Sequence, residues 1–255
     1  LLVVGVPTHG FRHTLESAAA AVGPRTPVIS LAKGFERSTG LRMSQVAAEV
    51  LPGRPVGVLT GPNLAREILE GRSAATVIAA TDPAAASALQ GLLASDRFRV
   101  YTNEDLVGCE LGGALKNVIA LAAGMAEGLD TGDNARAALI TRGLAEMTRL
   151  GVALGGDPMT FAGLAGMGDV MATCMSSQSR NRWVGEQVGR GAAPDRVLAG
   201  MDQVAEGVRT ATVACELAAS VAMEVPVAEG VRSVFDDGRS PTEVWSALMA
   251  RRTGP

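Results

Sequence analysis

Cysteine is scarce in this 255-residue sequence: Cys109, Cys174 and Cys215 are the only three, an odd number at wide spacing. That pattern excludes a disulfide framework and a cysteine-based metal cage, and it suits a reducing, cytoplasmic setting. No bound metal is expected. The opening Leu1-Leu2-Val3-Val4 has neither a methionine nor a basic stretch, so it does not read as a signal peptide. No apolar run approaches the ~20 residues of a membrane span, so none is expected. Charge of one sign is also lacking. The 23 bases against 26 acids leave a formal net charge of −3, which argues against a nucleic-acid groove. Lysine is the scarce base, with only Lys33 and Lys116 among 21 arginines. A chain that leans this far toward arginine is expected to keep lysine where a compact, titratable ammonium is needed.

What is present supports a packed core: 47% of residues are hydrophobic and 19% charged. At ~150 residues per domain, the length fits one large domain or two modest ones. Glycine numbers 31, well above the usual ~7%, so many backbone positions need tight turns or close approach.

Short apolar runs alternate with helical patterns over the first hundred residues. Strands are expected at Leu1–Val6, Pro27–Ala32, Val56–Leu59, Ala74–Ala80 and Phe98–Tyr101. Helices are expected at Thr14–Val22 (with Thr14 as cap), Arg42–Leu51, Leu64–Leu69 and Pro83–Ala94. Such alternation predicts an α/β fold with a doubly wound, Rossmann-like sheet, mostly parallel. Beyond Asp105 the β-branched runs vanish, and helices are expected at Glu110–Glu127, Asn134–Leu154, Arg180–Val188, Gly207–Met223, Val227–Phe235 and Thr242–Met249. The chain is thus expected to hold a partial α/β domain at 1–104 and an all-helical substrate and catalytic domain at 105–255. The glycine-rich turn G-x-G-x-x-G is missing, and the nearest string, Gly166-Met167-Gly168, lies in the helical half. One or two βα units of ~30 residues each are therefore expected upstream of Leu1, or else the fold binds no dinucleotide.

Several short strings carry chemistry. Lys33, in Leu31-Ala32-Lys33-Gly34, follows a strand end, where ligands of open α/β sheets bind; taken alone it reads as a solvated loop lysine. Gly61-Pro62-Asn63-Leu64-Ala65 follows another strand and opens a helix whose amides could face a ligand. Lys116 lies inside a long helix, in Leu111-Gly112-Gly113-Ala114-Leu115-Lys116-Asn117. Its two glycines ask for close approach by a backbone or a ligand, and its apolar neighbours would partly desolvate the ammonium. Asp169 follows the glycine-rich Gly163-Leu164-Ala165-Gly166-Met167-Gly168, either as a helix cap or as a carboxylate near Lys116. Ser179-Arg180-Asn181-Arg182 offers a serine cap, two guanidinium groups and free amides, a combination that suits phosphate. Val204-Ala205-Glu206-Gly207 is a further loop before a helix.

Together these strings, with Asn134-Ala135-Arg136-Ala137-Ala138-Leu139-Ile140-Thr141-Arg142-Gly143, resemble bacterial NAD(P)-dependent glycerol-3-phosphate dehydrogenase from Leu1 to about Val244. The family usually has serine where this chain has Asn63, and its N-terminal glycine fingerprint is absent here. The resemblance implies an oxidoreductase that interconverts dihydroxyacetone phosphate and sn-glycerol 3-phosphate with NAD or NADP, supplying phospholipid synthesis. It implies Lys116 as the catalytic acid/base. It assigns Lys33, Gly61, Asn63, Lys116, Asn117, Asp169, Thr173, Ser179, Arg180 and Asn181 to substrate, and Lys33, Ala65, Arg180, Val204 and Glu206 to cofactor.

Two other readings compete. A related two-domain hydroxy-acid dehydrogenase would share the lysine but lack the phosphate-binding string. A truncated, non-catalytic binding module would explain the missing glycine turn, and without that turn the 255 residues alone are expected to bind NADH too weakly for turnover. A homodimer is the default assembly for a soluble enzyme.

Overall fold

The alternation of strand and helix folds, in a computed structural model that describes residues 1–201 and 204–250, into a five-stranded sheet flanked by helices. The elements are β1 (Leu2–Val4), α1 (Thr8–Ala18), β2 (Val28–Ser30), α2 (Met43–Val50), β3 (Val56–Thr60), α3 (Ala65–Leu69), β4 (Ala74–Ala80), α4 (Pro83–Leu93) and β5 (Phe98–Asn103). Strand order follows chain order. Three of the pairings are parallel, but β3 and β4 run antiparallel, with Thr60 opposite Val77. The sheet is thus mostly parallel, as expected, with β3 and β4 its antiparallel pair. The link between them carries only the five-residue α3 in place of the full helix that usually makes a parallel crossover. Apolar periodicity reports burial and says nothing of direction.

Successive side chains of a strand point to opposite faces, and the cores follow that rule. Val28 packs with Phe11, Leu15, Met43 and Val46 of α1 and α2. Its neighbour Ile29 packs with Ala86 and Leu89 of α4 on the other face. Helices thus cover both faces, as a doubly wound sheet requires. α1 starts at Thr8, earlier than expected, because Phe11 and Leu15, both wholly buried, set its inner face. Thr14 lies within the helix and donates its hydroxyl hydrogen to the Gly10 carbonyl, so it is no cap.

After β5 come α5 (Leu106–Gly128), α6 (Asp133–Ala153), α7 (Pro158–Ala162), a π turn at Leu164–Gly168, and α8 (Asp169–Met175). They are followed by α9 (Arg180–Gly189), α10 (Pro194–Ala199), α11 (Glu206–Ser220), α12 (Pro226–Phe235) and α13 (Pro241–Ala250). No strand follows β5 among the described residues. The short α7 and α10 lack the length for a periodic signal in the sequence.

The compact units do not divide where strands give way to helices. One comprises Leu1–Ala114 and Gly151–Asp169, the other Leu115–Leu150 and Val170–Pro255. The first unit keeps the start of α5 because that segment is packed backbone to backbone. A Cβ on Gly112 would sit 2.5 Å from the Ala165 carbonyl oxygen, and Cys109 shares a core with Val58, Val77 and Ala165.

α5 also corrects the expectation about apolar length. It has 23 residues, with a window of mean hydropathy 1.4, enough by length and composition to cross a membrane. Glu110 and Lys116 hide this in the sequence by interrupting the run. Since 83% of that window is buried, its apolar character on every side is that of a core helix.

In the second unit, Glu146 of α6 fixes the start of α12. Its two oxygens accept the backbone N–H groups of Val227 and Ala228 at 2.8 and 3.0 Å. Burial pushes its carboxyl up from 4.5 to about 7, against the pull of those two amides. The folded state thus favours the protonated form. The stability this contributes is present in full below pH 4.5 and is lost as pH rises through 7. We expect denaturant unfolding to lose up to about 3 kcal/mol between pH 4.5 and 8 from this group. In Glu146→Gln that pH slope should vanish, although the variant is less stable overall because an amide offers one carbonyl oxygen for two N–H groups. An unchanged slope would remove Glu146 as its source.

Candidate active site

In the first unit, two neighbouring parallel strands, β2 and β3, deliver Lys33 and Gly61 just beyond their carboxyl ends. That is where open α/β sheets place ligands. Lys33 is no solvated loop lysine. Its Nζ donates to the Gly61 carbonyl at 2.8 Å and to Asp169 Oδ2 at 2.5 Å, with the Asp169 carboxylate 2% exposed. Gly61 has φ +117°, a conformation closed to most side chains. Gly113 answers to close approach. A Cβ there would lie 2.7 Å from Thr60 Oγ1 and 3.6 Å from Lys33 Cγ. Beside them, Asn63 donates from Nδ2 to Thr76 Oγ1 at 2.8 Å. Thr60 Oγ1 and Asn63 Oδ1 are buried without a hydrogen-bond partner. Ala65, at the start of α3, is exposed.

The rest of this unit holds the strand ends in place. Glu110 of α5 accepts from the Ser44 backbone and hydroxyl and from Arg42, tying α5 to the start of α2. Burial raises its carboxyl, opposed chiefly by Arg42. Cys109, with its thiol pushed up to about 12 by burial, is chemically inert.

The second unit assembles a different group. Lys116 of α5 is 7% exposed and donates to Thr173 Oγ1 of α8 at 2.6 Å. Leu115, Val118 and Ile119 around it are buried, so water is largely excluded from the ammonium. Asn117 Oδ1 accepts from Asn181 Nδ2 at 3.0 Å, and Asn181 Oδ1 accepts the Gly207 backbone N–H at 3.0 Å. Ser179 caps α9 by accepting the Arg182 N–H. Arg180, exposed, donates to the Val204 carbonyl at 3.0 Å, beside Glu206 at the start of α11. Arg182 is drawn away into ion pairs with Glu127 and Glu186.

Within each unit, then, the sequence-derived residues are brought together: Lys33, Gly61 and Asp169 in one, and Lys116, Asn117, Thr173, Arg180, Asn181 and Val204 in the other. Ser179 serves its own helix. Sequence reasoning misses Thr60 and Thr76, because a threonine inside a strand reads as ordinary β propensity. Among the described residues, no cluster of His, Cys, Asp or Glu could hold a metal.

Comparison with known proteins bears on both units. The family model described as the NAD-dependent glycerol-3-phosphate dehydrogenase C-terminus matches residues 105–246, and the corresponding N-terminus model matches residues 1–86. The chain belongs to this dehydrogenase family. A glycerol-3-phosphate dehydrogenase [NAD(P)+] from Sphingopyxis alaskensis is 54% identical over 254 residues, spanning 100% of this chain and 76% of that protein. One from Mycobacterium avium is 50% identical, spanning 100% and 74%. The crystal structure of glycerol-3-phosphate dehydrogenase from Coxiella burnetii superposes with a TM-score of 0.94 at 34% identity, over 98% of this chain and 76% of that one.

The family's nicotinamide cofactor fits the donor set here. In the first unit, Lys33 is a cation suited to an anionic dinucleotide, and the buried, unpartnered Thr60 Oγ1 asks for a polar ligand.

Proposed function

We propose that the chain interconverts dihydroxyacetone phosphate and sn-glycerol 3-phosphate with NAD or NADP, and that Lys116 is its catalytic acid/base. The observation that carries this reading is the setting of Lys116: a buried ammonium that makes a short hydrogen bond to Thr173, in a chain whose other bases are nearly all arginine. Its side-chain partner Thr173 and the partner of Lys33, Asp169, stand four residues apart on α8, one turn of the helix.

When bound, the nicotinamide supplies or takes the hydride. Lys33, Ala65, Arg180, Val204 and Glu206 are the residues assigned to hold that cofactor. In the reducing direction the Lys116 ammonium donates a hydrogen bond to the ketone oxygen and gives up its proton as the alkoxide forms. In the oxidising direction the neutral amine accepts the hydroxyl proton. Thr173 holds the Lys116 nitrogen in place, and Asp169 holds Lys33. Asn181, with Oδ1 and one amide hydrogen spent on Gly207 and Asn117, keeps its second N–H for a phosphate oxygen. Three cysteines, with no disulfide among the described residues, agree with a cytoplasmic enzyme that feeds phospholipid synthesis.

The test is turnover of glycerol 3-phosphate against unphosphorylated glycerol. Strong preference for the phosphorylated compound is expected, and equal turnover of both would sink this substrate. Arg180 gives a second check. Arg180→Ala should raise KM for dihydroxyacetone phosphate and lower kcat/KM by about 2–4 kcal/mol of charge-assisted bonding, with little change in fold stability since the side chain is exposed. A change confined to the KM for NADH would assign Arg180 to the cofactor alone.

A further inference from the structure

Asn63 and Thr76 form a hydrogen-bond chain that ends on an unused acceptor. Thr76 is wholly buried on β4, and the antiparallel register that sets Thr60 opposite Val77 places it beside Gly61, with its Cα 3.5 Å from where a Gly61 Cβ would be. Its hydroxyl has a single hydrogen. That hydrogen is committed to the Thr60 carbonyl at 2.8 Å. Toward Asn63, therefore, Thr76 Oγ1 can only accept.

The consequence for Asn63 is a fixed orientation. An amide turned the other way would set its carbonyl oxygen against a hydroxyl oxygen that has no hydrogen to offer. So Nδ2 faces Thr76 at 2.8 Å, and Oδ1 is left buried without a partner. A buried acceptor without a donor is costly and rare in a native fold, unless a ligand completes it. The missing partner must be a hydrogen-bond donor. Of the groups on dihydroxyacetone phosphate, the ketone and the ionised phosphate can only accept. Its free hydroxyl can donate.

We propose that Thr76 is a positioning residue: it holds the Asn63 amide so that Oδ1 accepts a hydrogen bond from the free hydroxyl of dihydroxyacetone phosphate. This deepens the functional reading above and rests on it. Through that bond the enzyme separates its substrate from a phosphorylated ketone that lacks the hydroxyl.

The experiment compares dihydroxyacetone phosphate with 2-oxopropyl phosphate, which has the same ketone and phosphate but no free hydroxyl. Wild type should prefer dihydroxyacetone phosphate. Thr76→Val keeps the shape and removes the oxygen, so it should lose about tenfold more kcat/KM on dihydroxyacetone phosphate than on the analogue, through KM. Thr76→Ser restores the hydroxyl and should restore the preference. Asn63→Ala should lose the preference as Thr76→Val does, and combining the two should add nothing further. If Thr76→Val does not fold, Thr76→Ser and Asn63→Ala still carry the comparison. Equal losses on both compounds would make Thr76 merely structural and overturn the proposal, as would an unchanged preference in Thr76→Val and Asn63→Ala. A wild-type enzyme that binds NADH yet reduces neither compound would overturn the functional reading itself, and this inference with it.

Discussion

Lys116→Arg should lower kcat at least ~10²-fold while the protein stays folded. Arginine keeps the positive charge, so any role that needs only charge would survive the change. What it cannot do is give up a proton at working pH, and its planar guanidinium is bulkier than an ammonium. The site has no slack for that bulk. Lys116 is 7% exposed, and its nitrogen lies 2.6 Å from Thr173 Oγ1. Because the added volume could disturb packing by itself, Lys116→Met is the companion variant: it removes the nitrogen and nearly keeps the shape. Both should lose proton transfer, seen as a fall in kcat at saturating dihydroxyacetone phosphate and NADH, with thermal unfolding little changed in Lys116→Met. Near-normal kcat in either folded variant would take Lys116 out of the mechanism.

The arginine bias makes both lysines legible in the amino-acid sequence. Composition, unlike periodicity, registers a residue kept against the trend, and Lys33 and Lys116 are both held by buried or half-buried polar partners. The glycine pair before Lys116 is legible for the same reason. A residue that weakens a helix must be needed for contact, and Gly112 meets the Ala165 backbone while Gly113 meets Thr60 and Lys33. Helix and strand positions follow from apolar spacing. The direction of β4 does not, since an alternating or continuous apolar run is the same read either way. The Asn63–Thr76–Thr60 chain is hidden too, because it depends on that antiparallel register to bring residues of β4 beside the end of β3. Ser179 and Asn181 show the opposite limit. Both read as phosphate-binding groups; Ser179 instead caps α9, and Asn181 spends Oδ1 and one N–H inside the helical unit, leaving its second N–H.

Gly124→Ala should destabilise the helical unit by about 2–4 kcal/mol, lowering the melting temperature by roughly 5–15 °C. The reason is how α5 and α9 cross. Gly124 and Gly128 on α5 face Gly185 and Gly189 on α9, each pair one helical turn apart. A Cβ on Gly124 would overlap the Arg182 carbonyl oxygen, and one on Gly185 the Leu121 carbonyl oxygen. These are backbone atoms, so no side-chain rotation relieves the overlap; the helices must move apart. Helix propensity pulls the other way, since alanine is better than glycine by up to ~1 kcal/mol in a helix interior. Overlap with backbone outweighs that gain. Gly91 in α4 isolates the propensity term, because a Cβ there meets nothing within 4 Å. Gly91→Ala should therefore stabilise by about 0.5–1 kcal/mol. Opposite signs for the two substitutions in thermal unfolding followed by circular dichroism are the expected result. The crossing also sets function, because α5 carries Lys116 and Asn117 while α9 begins at Arg180 and Asn181. Separating the helices would stretch the 3.0 Å bond from Asn181 to Asn117, so KM for dihydroxyacetone phosphate should rise in Gly124→Ala even below its melting temperature. A Gly124→Ala protein as stable as Gly91→Ala, with unchanged KM, would show that the two helices do not need backbone contact to hold these residues in place.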